Sequence, residues 1–293
     1  MIIYSKGRGG NDKMSEFKTK GKAKPLLNNI FKNELFKRYL NVETTISILT
    51  FVLIVLTWFF VTKFELVSEV FIPSPAKVLS SFTDTLFSGY KGYTLMKHLG
   101  DSMFRLLTAF GIALITAIPL GLASGYNSKV RAVFDPIVGF YQSLPPLAYY
   151  TILVIWLGIG DISKITLLYL AAFAPLFIAS MSGVKSVKDD YVNGAYTLGA
   201  NKSQVFRYVI FPACLPYIFT GIRTAMATSY GTLVAAEMVA AVTGIGWMVF
   251  DASRFMRSDI IFMGIIVMGI TSIIIDRTIR LIEYTVVPWK GNE

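Results

Sequence analysis

Long apolar segments alternate along the chain with shorter polar ones. A helical residue rises about 1.5 Å, so a mostly apolar stretch of roughly twenty residues can cross the hydrocarbon core of a bilayer. Six such segments are predicted as transmembrane helices. They cover residues 44–62, 98–123, 132–157, 163–184, 213–239 and 260–284. The pattern therefore predicts an all-α membrane protein, in which a polar tail (residues 1–43) precedes a transmembrane domain (residues 44–290).

Two adjacent prolines, Pro145 and Pro146, interrupt the third predicted span. A proline removes one backbone donor and its ring clashes with the preceding turn, so it kinks or breaks a helix. Within a bilayer such a break is tolerated where the backbone faces protein or a water-filled path. We therefore expect Pro145 and Pro146 to line a path through the protein.

The segment 185–212 is polar although spans lie on both sides of it. Part of it has the spacing of one helical face, i, i+4, i+7. The residues with this spacing are Tyr191, Ala195 and Leu198. Asp189 and Asp190 precede them, where carboxylates complement the positive end of a helix dipole. A short amphipathic helix is therefore predicted outside the membrane.

Gly199 follows this helix as a C-terminal stop signal. A second short helix is predicted from about Ser203, and Pro212 marks the return of the chain to the membrane. Exposed amphipathic helices commonly bind a partner, and the alternative is a helix lying flat on the lipid surface. The residue pattern alone leaves both alternatives open.

Positive charge is concentrated beside the first span. The formal net charge of the whole chain is +10. Residues 1–44 contain ten Lys or Arg and four Asp or Glu, so this segment is strongly basic. Positive charge next to a span marks the cytoplasmic side and gives no reason to expect nucleic acid as a partner. With six spans, residues 124–131, the segment 185–212 and the C-terminus are then cytoplasmic too. We expect a multi-pass protein of the cell membrane with both termini in the cytoplasm and lipid around it.

The candidate chemistry is sparse. One cysteine, Cys214, and one histidine, His98, exclude a disulfide within the chain and multi-histidine or cysteine metal sites. Residues 158–165 resemble a phosphate-binding loop, but Ser163 replaces its second Gly and Ile165 its Ser or Thr. We expect no metal, no cofactor and no ATPase site in this chain. A membrane-embedded enzyme is disfavoured because no catalytic set is recognisable.

Three charged residues, Arg105, Arg223 and Glu237, fall within predicted spans. Charges at that depth are expensive and usually face a polar interior. One interpretation is a translocation path whose basic residues accommodate an anion. The alternative is a structural ion pair or, for Arg105, a side chain that reaches the nearby membrane surface.

The polar segment resembles the EAA loop of ATP-binding cassette importer permeases. In the pattern of that family, Glu-Ala-Ala is separated by three residues from a Gly. Nine residues then precede an Ile, and one further residue precedes Leu-Pro. This chain has the same spacing. It departs from the pattern with Asn193, Gly194, Val209 and Phe211 in place of Glu, the first Ala, Ile and Leu. The resemblance implies that this helix docks in a groove of a separate ATPase subunit. The coupling residues implied are Asp189, Asp190, Asn193, Gly194, Ala195, Leu198, Gly199, Val209 and Pro212.

A larger part of the chain, about residues 70–290, resembles the permease branch that serves taurine, aliphatic sulfonates and nitrate. The matching segments include residues 73–75, 144–148, 156–164, 220–223 and 233–238, and the tail 287–291 looks most like taurine permeases. The resemblance implies the type I importer permease (MetI-like) fold with cytoplasmic coupling helices. It implies an ATPase subunit, an external substrate-binding protein and a second permease copy as partners. It implies taurine, an alkanesulfonate or a similar small anion as substrate, with nitrate, bicarbonate or a thiamine-precursor-like solute as alternatives.

A secondary transporter without an ATPase is the competing interpretation. It requires paired inverted repeats and an ion-coupling carboxylate near mid-membrane. No such repeat is recognisable in the sequence, and the segment 185–212 has no role in that mechanism. The sequence therefore favours the importer permease.

Overall fold

The computed structural model describes residues 42–289, so the tail predicted over residues 1–43 lies outside the described residues as far as residue 41. Every regular element within 42–289 is helical, as predicted, and the one β-bridge there joins Tyr90 and Tyr93 across a turn. The chain divides into two compact units, residues 1–61 and 62–293. Helix α1 (Val42–Lys63) is the described element of the first unit.

The second unit contains the remaining helices of the described range. They are α2 (Pro75–Phe87), α3 (Leu95–Tyr126), α4 (Ser128–Gln142), α5 (Pro146–Leu157), α6 (Asp161–Lys185), α7 (Asp189–Thr197), α8 (Lys202–Val205), α9 (Phe211–Ala240), α10 (Ile245–Arg254) and α11 (Ser258–Val286), with a π-helical segment, Phe206–Ile210, between α8 and α9.

Five helices of the described range are long and apolar enough to cross a membrane. They cover Thr44–Lys63, Leu95–Tyr126, Asp161–Lys185, Lys202–Val239 and Ser258–Val286. Each coincides with a predicted span but extends beyond it by one to eleven residues at one or both ends. The extensions arise because capped helix ends continue past the apolar core, as at Thr94, whose side chain accepts a hydrogen bond from the amide of Lys97.

The predicted span at 132–157 is not one continuous helix. Helix α4 ends at Gln142, residues 143–145 are non-helical, and α5 begins at Pro146. Pro145 has φ −58° and ψ 129°, an extended conformation, because the ring of Pro146 excludes the residue before it from the helical region. Residues 42–289 therefore contain five continuous candidate spans and a sixth segment broken at the prolines, and α5 alone is a short apolar helix of 12 residues.

Helix α6 is the centre of the second unit, and α3 and α9 pack along it. Leu106 of α3, Phe177 of α6 and Met226 of α9 belong to one buried cluster. Gly121 lets α3 approach closely, since a Cβ atom there would collide with the backbone oxygen of Phe177. Small residues at helix crossings are the usual means of tight packing between transmembrane helices.

The connections between spans gather at two ends of this bundle. At one end, Ser81 of α2 donates a hydrogen bond to Asp259 at the start of α11 (2.6 Å). At the other end, the rings of Tyr126 and Phe206 meet at 5.9 Å between centroids. Within the second unit, the structure thus brings residues 124–131 and the segment 185–212, both predicted as cytoplasmic, to one end, and the connection before α11 lies at the other end.

Residues 243–259, which connect the segments predicted as spans at 213–239 and 260–284, contain helix α10. The ring of Trp247 on this helix stacks on His98 at 5.8 Å, and Asp251 accepts a hydrogen bond from the Tyr90 hydroxyl at 2.8 Å. Burial, reinforced by that bond, raises the pKa of Tyr90 above its usual value. This connection therefore contains a helix that was not predicted, which begins after Gly244 and includes Gly246.

Candidate functional site

The coupling loop, residues 185–212, begins with helix α7 (Asp189–Thr197), which carries Asp189 and Asp190 in its first turn as predicted. Gly199 ends it with φ +85°, a conformation that glycine adopts without strain. The amides of Gly199 and Ala200 donate to the carbonyls of Tyr196 (2.9 Å) and Ala195 (3.1 Å). This pair of bonds is a Schellman motif, so the predicted stop signal at Gly199 is confirmed.

One side of α7 attaches the loop to the bundle. Val192 and Ala195 pack against a buried cluster that includes Leu122 of α3 and Val184 of α6. Tyr191 is exposed beside Ala195, and the opposite side of the helix is exposed and carries Asn193 and Gly194. Helix α7 is thereby held by an apolar contact on one face while the other face remains accessible.

The second helix of the loop differs from the prediction. It begins at Lys202 with a capping box, in which Asn201 and Gln204 exchange side-chain and backbone hydrogen bonds. It does not end before Pro212 but continues through the π-helical segment into α9. Pro212 cannot donate to the carbonyl four residues back, and the wider π turn accommodates it, because Phe211 donates to Phe206.

The tip of the coupling loop is apolar. Leu198 is 90% exposed, the largest exposed fraction among the exposed hydrophobic residues of the described range. It borders a shallow concavity together with Gly199, Tyr208 and Val209. An exposed leucine beside a concave surface is an arrangement suited to a protein partner, not to water. Pro212 is half-buried at the start of α9, away from this tip.

At the other end of the bundle, Arg105 lies in a buried charge cluster. Its Nη1 donates to Oε1 of Glu237 (2.8 Å) and to the backbone oxygen of Thr243 (2.9 Å). Glu237 also accepts from the Ser102 hydroxyl (2.7 Å) and from the amide of Gly246 (2.9 Å). The side chains of Arg105 and Glu237 are 5% and 1% exposed. Both charges are therefore compensated inside the protein.

A second carboxylate completes the charge cluster. Oδ1 of Asp161, at the start of α6, accepts from Nε of Arg105 at 2.7 Å, yet the Asp161 side chain is 50% exposed. The buried Lys164 ammonium lies 3.9 Å from the same oxygen and donates to the backbone oxygen of Gly160 at 2.9 Å. The charge cluster thus comprises Arg105, Lys164, Glu237 and Asp161, with Ser102 as a neutral donor.

The loop before α10 is shaped by the charge cluster. Gly244 has φ +124°, and a Cβ atom there would collide with the Glu237 carboxylate. Its amide donates to Nδ1 of His98 at 3.1 Å. The loop therefore presents its amides to Glu237 and His98 only because residue 244 has no side chain.

Arg223, the other arginine within a span, is far from this cluster. Its position on the same helix as Glu237 places it roughly 21 Å away along the axis. Its Nε lies 3.7 Å from Glu283, and among the described residues that buried nitrogen has no hydrogen-bond partner. The side chain is 27% exposed and borders a small cavity with Tyr230, Ser272 and Asp276.

The structure brings together Arg105 and Glu237 but not Arg223, Pro145 or Pro146. Pro145 is exposed and Pro146 half-buried at the break between α4 and α5. That these five residues line a path stays a prediction. Asp161 and Lys164 were not predicted as part of a site, because both lie at the start of a helix, where charged residues are common. The sequence feature that could have indicated them is that Arg105 and Glu237 lie near the same end of the bundle.

Helix α9 has an exposed face of small and polar residues. Its members are Thr220, Thr224, Ala227, Thr228 and Gly231, called here the α9 polar face. The hydroxyls of Thr220, Thr224 and Thr228 donate to carbonyls four residues back in their own helix, at 2.9, 3.0 and 3.1 Å. The exposed face of α11 instead carries isoleucines such as Ile270 and Ile273. Lipid tails favour the second kind of surface, so the α9 polar face is suited to contact protein or water.

Comparison with known proteins agrees with this architecture. Residues 117–287 match the family described as binding-protein-dependent transport system inner membrane component. The chain is 39% identical over 251 residues to the taurine transport system permease protein TauC of Escherichia coli (strain K12), covering 85% of this chain and 91% of that protein. It is 34% identical over 223 residues to the nitrate import permease protein NrtB of Synechocystis sp. (strain ATCC 27184), covering 74% of this chain and 81% of that protein.

A solved structure shares the fold. An inward-facing conformation of the MetNI methionine ABC transporter superposes with a TM-score of 0.53 and 16% sequence identity, covering 64% of this chain and 95% of that one. The predicted MetI-like fold is therefore confirmed at the level of architecture.

Proposed function

Because this chain belongs to the family of binding-protein-dependent transport system inner membrane components, we propose that two copies of it form the pathway of an ATP-driven importer for a small anion. Its relatives are permease subunits of ATP-binding cassette importers, which are transporters and not enzymes. Such importers also contain ATPase subunits and a substrate-binding protein. The second permease copy, the orientation and the substrate belong to the proposal.

The observation that carries the proposal is the coupling loop. Leu198 projects from a short helix that an apolar contact and a Schellman motif hold in place. A fixed apolar protrusion outside the membrane is suited to insert into a groove of a partner, because little conformational entropy is lost on binding. We assign this contact to the ATPase subunit. Asp189, Asp190, Asn193 and Gly194 lie on the same helix, where they can border the contact.

ATP is bound by that partner in this proposal. The sequence 158–165, which resembles a phosphate-binding loop, contains the start of α6, where Asp161 is already engaged with Arg105. It lies at the end of the bundle opposite the coupling loop. This chain then needs no cofactor of its own, and it transmits the conformational change of the ATPase to the spans.

The pathway lies along the α9 polar face. A face of threonines, alanine and glycine can approach a second copy closely and can also hydrate a polar solute. Arg223 lies beside this face on the same helix, and its partial exposure leaves it accessible to an anion.

The coupling loop and both termini lie in the cytoplasm, and the charge cluster lies at the extracytoplasmic end. The broken segment around Pro145 and Pro146 borders the pathway, and lipid surrounds the isoleucines of α11.

The substrate proposed is taurine, a zwitterion whose anionic group is a sulfonate, or a similar small anion. One relative is named for the transport of taurine and another for the import of nitrate. Both solutes carry an anionic group, which is a sulfonate in taurine and the whole ion in nitrate. Taurine is favoured because the identity is higher and covers more of both chains. Nitrate is the alternative that the substrate test must distinguish.

Coupling is tested with Gly199→Trp in the complex with the ATPase subunit of the same transport system. The bulky residue must adopt φ +85° beside Leu198, so we expect the ATPase to co-purify poorly and its stimulation by substrate and binding protein to be lost. Asn193→Glu, which restores the usual residue of the EAA loop, is the matched control and should retain both. Full co-purification and full stimulation of Gly199→Trp would show that the coupling loop is not the contact.

The substrate is tested by uptake into proteoliposomes that contain the whole complex and its binding protein. We expect ATP-dependent accumulation of labelled taurine that excess unlabelled nitrate does not reduce. Accumulation of nitrate without taurine would select the alternative substrate, and uptake without ATP would contradict the importer.

A further inference from the structure

The charge cluster contains two carboxylates in very different surroundings. Glu237 is almost completely buried, whereas half of the Asp161 side chain is exposed. Glu237 receives bonds from Arg105, Ser102 and the amide of Gly246. Asp161 receives one close bond, from Nε of Arg105, and lies 3.9 Å from Lys164. The two acids therefore cannot be held with equal strength.

The magnitudes decide which carboxylate can leave. Breaking a buried ion pair costs about 3–5 kcal/mol, because the remaining charge is left uncompensated. An exposed ion pair contributes about 0–1 kcal/mol, because water replaces the partner. The Asp161 contact lies between these limits, close to the exposed one. Thermal motion can withdraw the Asp161 side chain into water while Glu237 keeps its place.

Withdrawal of Asp161 leaves a site of positive charge. Two buried cations, Arg105 and Lys164, then lie beside one buried carboxylate, Glu237, while the nearby carboxylate of Asp101 is paired with Lys97. The amides of the first turn of α6 face the same region, and no side chain caps them. A helix of 25 residues presents a partial positive charge at its N-terminus, which adds to the two cations in attracting an anion.

There is open space at this point. No described atom beyond the chain neighbours lies within 4 Å of where a Cβ atom would stand at Gly158 or Gly160. The side chain between them, Ile159, is exposed. A small solute can therefore reach the Asp161 side of the cluster from the end of the bundle that bears the loops 158–160 and 241–244.

We propose that Arg105, Lys164 and the first turn of α6 form an outer anion site, in which Asp161 occupies the place that the sulfonate or similar anionic group of the incoming substrate takes over. The inference rests on the proposed function, because it supplies the first position that the solute meets in this chain. When no substrate is bound, the Asp161 carboxylate neutralises the positive charge of the site. When the anionic group of the substrate leaves, the Asp161 carboxylate takes its place again. The site selects for an anion of small volume and imposes no requirement on the rest of the solute.

The charge of the site is tested without transport. In the detergent-purified complex, Asp161→Cys is treated with two small thiol reagents, one carrying a sulfonate and one a trimethylammonium group. We expect the sulfonate reagent to react about tenfold faster or more, since two cations within a few ångströms attract one reagent and repel the other. The parent chain supplies the blank, because Cys214 is buried.

Matched variants locate the effect. Lys164→Gln in the Asp161→Cys chain should reduce the preference several-fold. Lys77→Gln, which removes an exposed cation at the same end that is paired with Glu69, should leave it within about twofold. Ile159→Cys should show a much smaller preference than Asp161→Cys. Equal preferences at positions 159 and 161, or no effect of Lys164→Gln, would overturn the outer anion site.

Transport gives the second arm. Asp161→Asn removes the competing charge, so we expect the KM for taurine to fall several-fold, with slower turnover because release is no longer assisted. Glu69→Gln, which removes an exposed carboxylate at the same end that is paired with Lys77, should leave both constants within about twofold. An unchanged KM in Asp161→Asn would contradict the site even if taurine is transported. Absence of taurine uptake in the parent complex would contradict the proposed function, and the thiol test would still decide on the site.

Discussion

Two arginines, Arg105 and Arg223, lie within spans, and they are compensated in different ways. Arg105 is 5% exposed and bonds to Glu237, Asp161 and Thr243. Arg223 is 27% exposed, approaches Glu283 only to 3.7 Å, and its Nε lacks a hydrogen-bond partner among the described residues. The first arginine supports the bundle at one end, and the second is held loosely along the helix that bears the α9 polar face.

The comparison shows that depth in the membrane does not by itself define a transport residue. The high desolvation energy of an intramembrane charge can be offset by a built ion pair or by a polar passage. Arg105 is compensated by a buried ion pair with Glu237, and its exposed contact is the one with Asp161. Arg223 has neither a close ion pair nor full burial, which makes it the better candidate for contact with a solute inside the pathway.

The largest effect expected is on stability, from Glu237→Ala. Truncation leaves Arg105 buried with only the half-exposed Asp161, so the folded state should lose about 3–5 kcal/mol. Glu283→Ala, at the looser pair, should lose less than Glu237→Ala, because Arg223 is part-exposed and its Nε comes only to 3.7 Å from Glu283. Thermal unfolding midpoints of the detergent-solubilised complexes check both. Equal losses would show that the two arginines are held equally firmly and would remove the contrast.

A smaller loss is expected from Gly244→Ala. The residue must keep φ +124° and would meet the Glu237 carboxylate, so the backbone alone costs about 1–3 kcal/mol. Gly269→Ala is the matched control, because that helical glycine on the isoleucine-bearing face of α11 has open space around it. The control should be neutral or slightly stabilising. Unchanged thermal stability of Gly244→Ala would mean that the loop does not depend on the charge cluster.

Transport, not stability, should respond to Arg223→Gln. Loss of one direct contact with an anionic solute is worth about 1.4 kcal/mol, or a tenfold rise in KM for taurine. The unfolding midpoint should stay close to that of the parent, since the side chain makes no close ion pair. Arg223→Lys should recover part of the transport. A drop in stability with unchanged KM would assign Arg223 to structure instead.

The smallest effect is expected from Arg280→Gln. Arg280 pairs with Asp276 one helical turn away, at 2.6 Å, and both side chains are about half exposed. Such a pair is solvated with or without its partner. Neither the unfolding midpoint nor the KM should change measurably. A clear loss of transport would extend the solute path to this end of α11 and would sharpen the role of the neighbouring cavity.

Much of the fold could be predicted because hydrophobic length alone defines a membrane span. The helix start at Asp189 and the stop at Gly199 were also predictable, since both depend on residues adjacent in sequence. The broken span could be located at Pro145 and Pro146, but the pattern could not show that α4 and α5 become separate helices. That outcome depends on local backbone conformation, which composition does not describe.

The charge cluster could be predicted only in part. Arg105 and Glu237 were conspicuous because charges are rare in spans, and a structural ion pair was one of the alternatives. Their partners Asp161 and Thr243 come from other helices or loops, and such contacts depend on the packing of α3, α6 and α9.

The π turn at Phe206–Ile210 had a sequence signal, Pro212, but that signal was interpreted as the end of a helix.

The continuity of the helix from Lys202 to Val239 has a mechanical consequence. These 38 residues form a rod about 57 Å long, with the coupling loop at one end, the α9 polar face along its middle and Glu237 near the far end. A rod that pivots where it crosses α6 moves its two ends in opposite directions. A push of a few ångströms by the proposed ATPase partner beside Leu198 would therefore displace the carboxylate that holds Arg105, and the π-helical segment Phe206–Ile210 and Pro216 are the points at which bending of the rod would reduce that displacement.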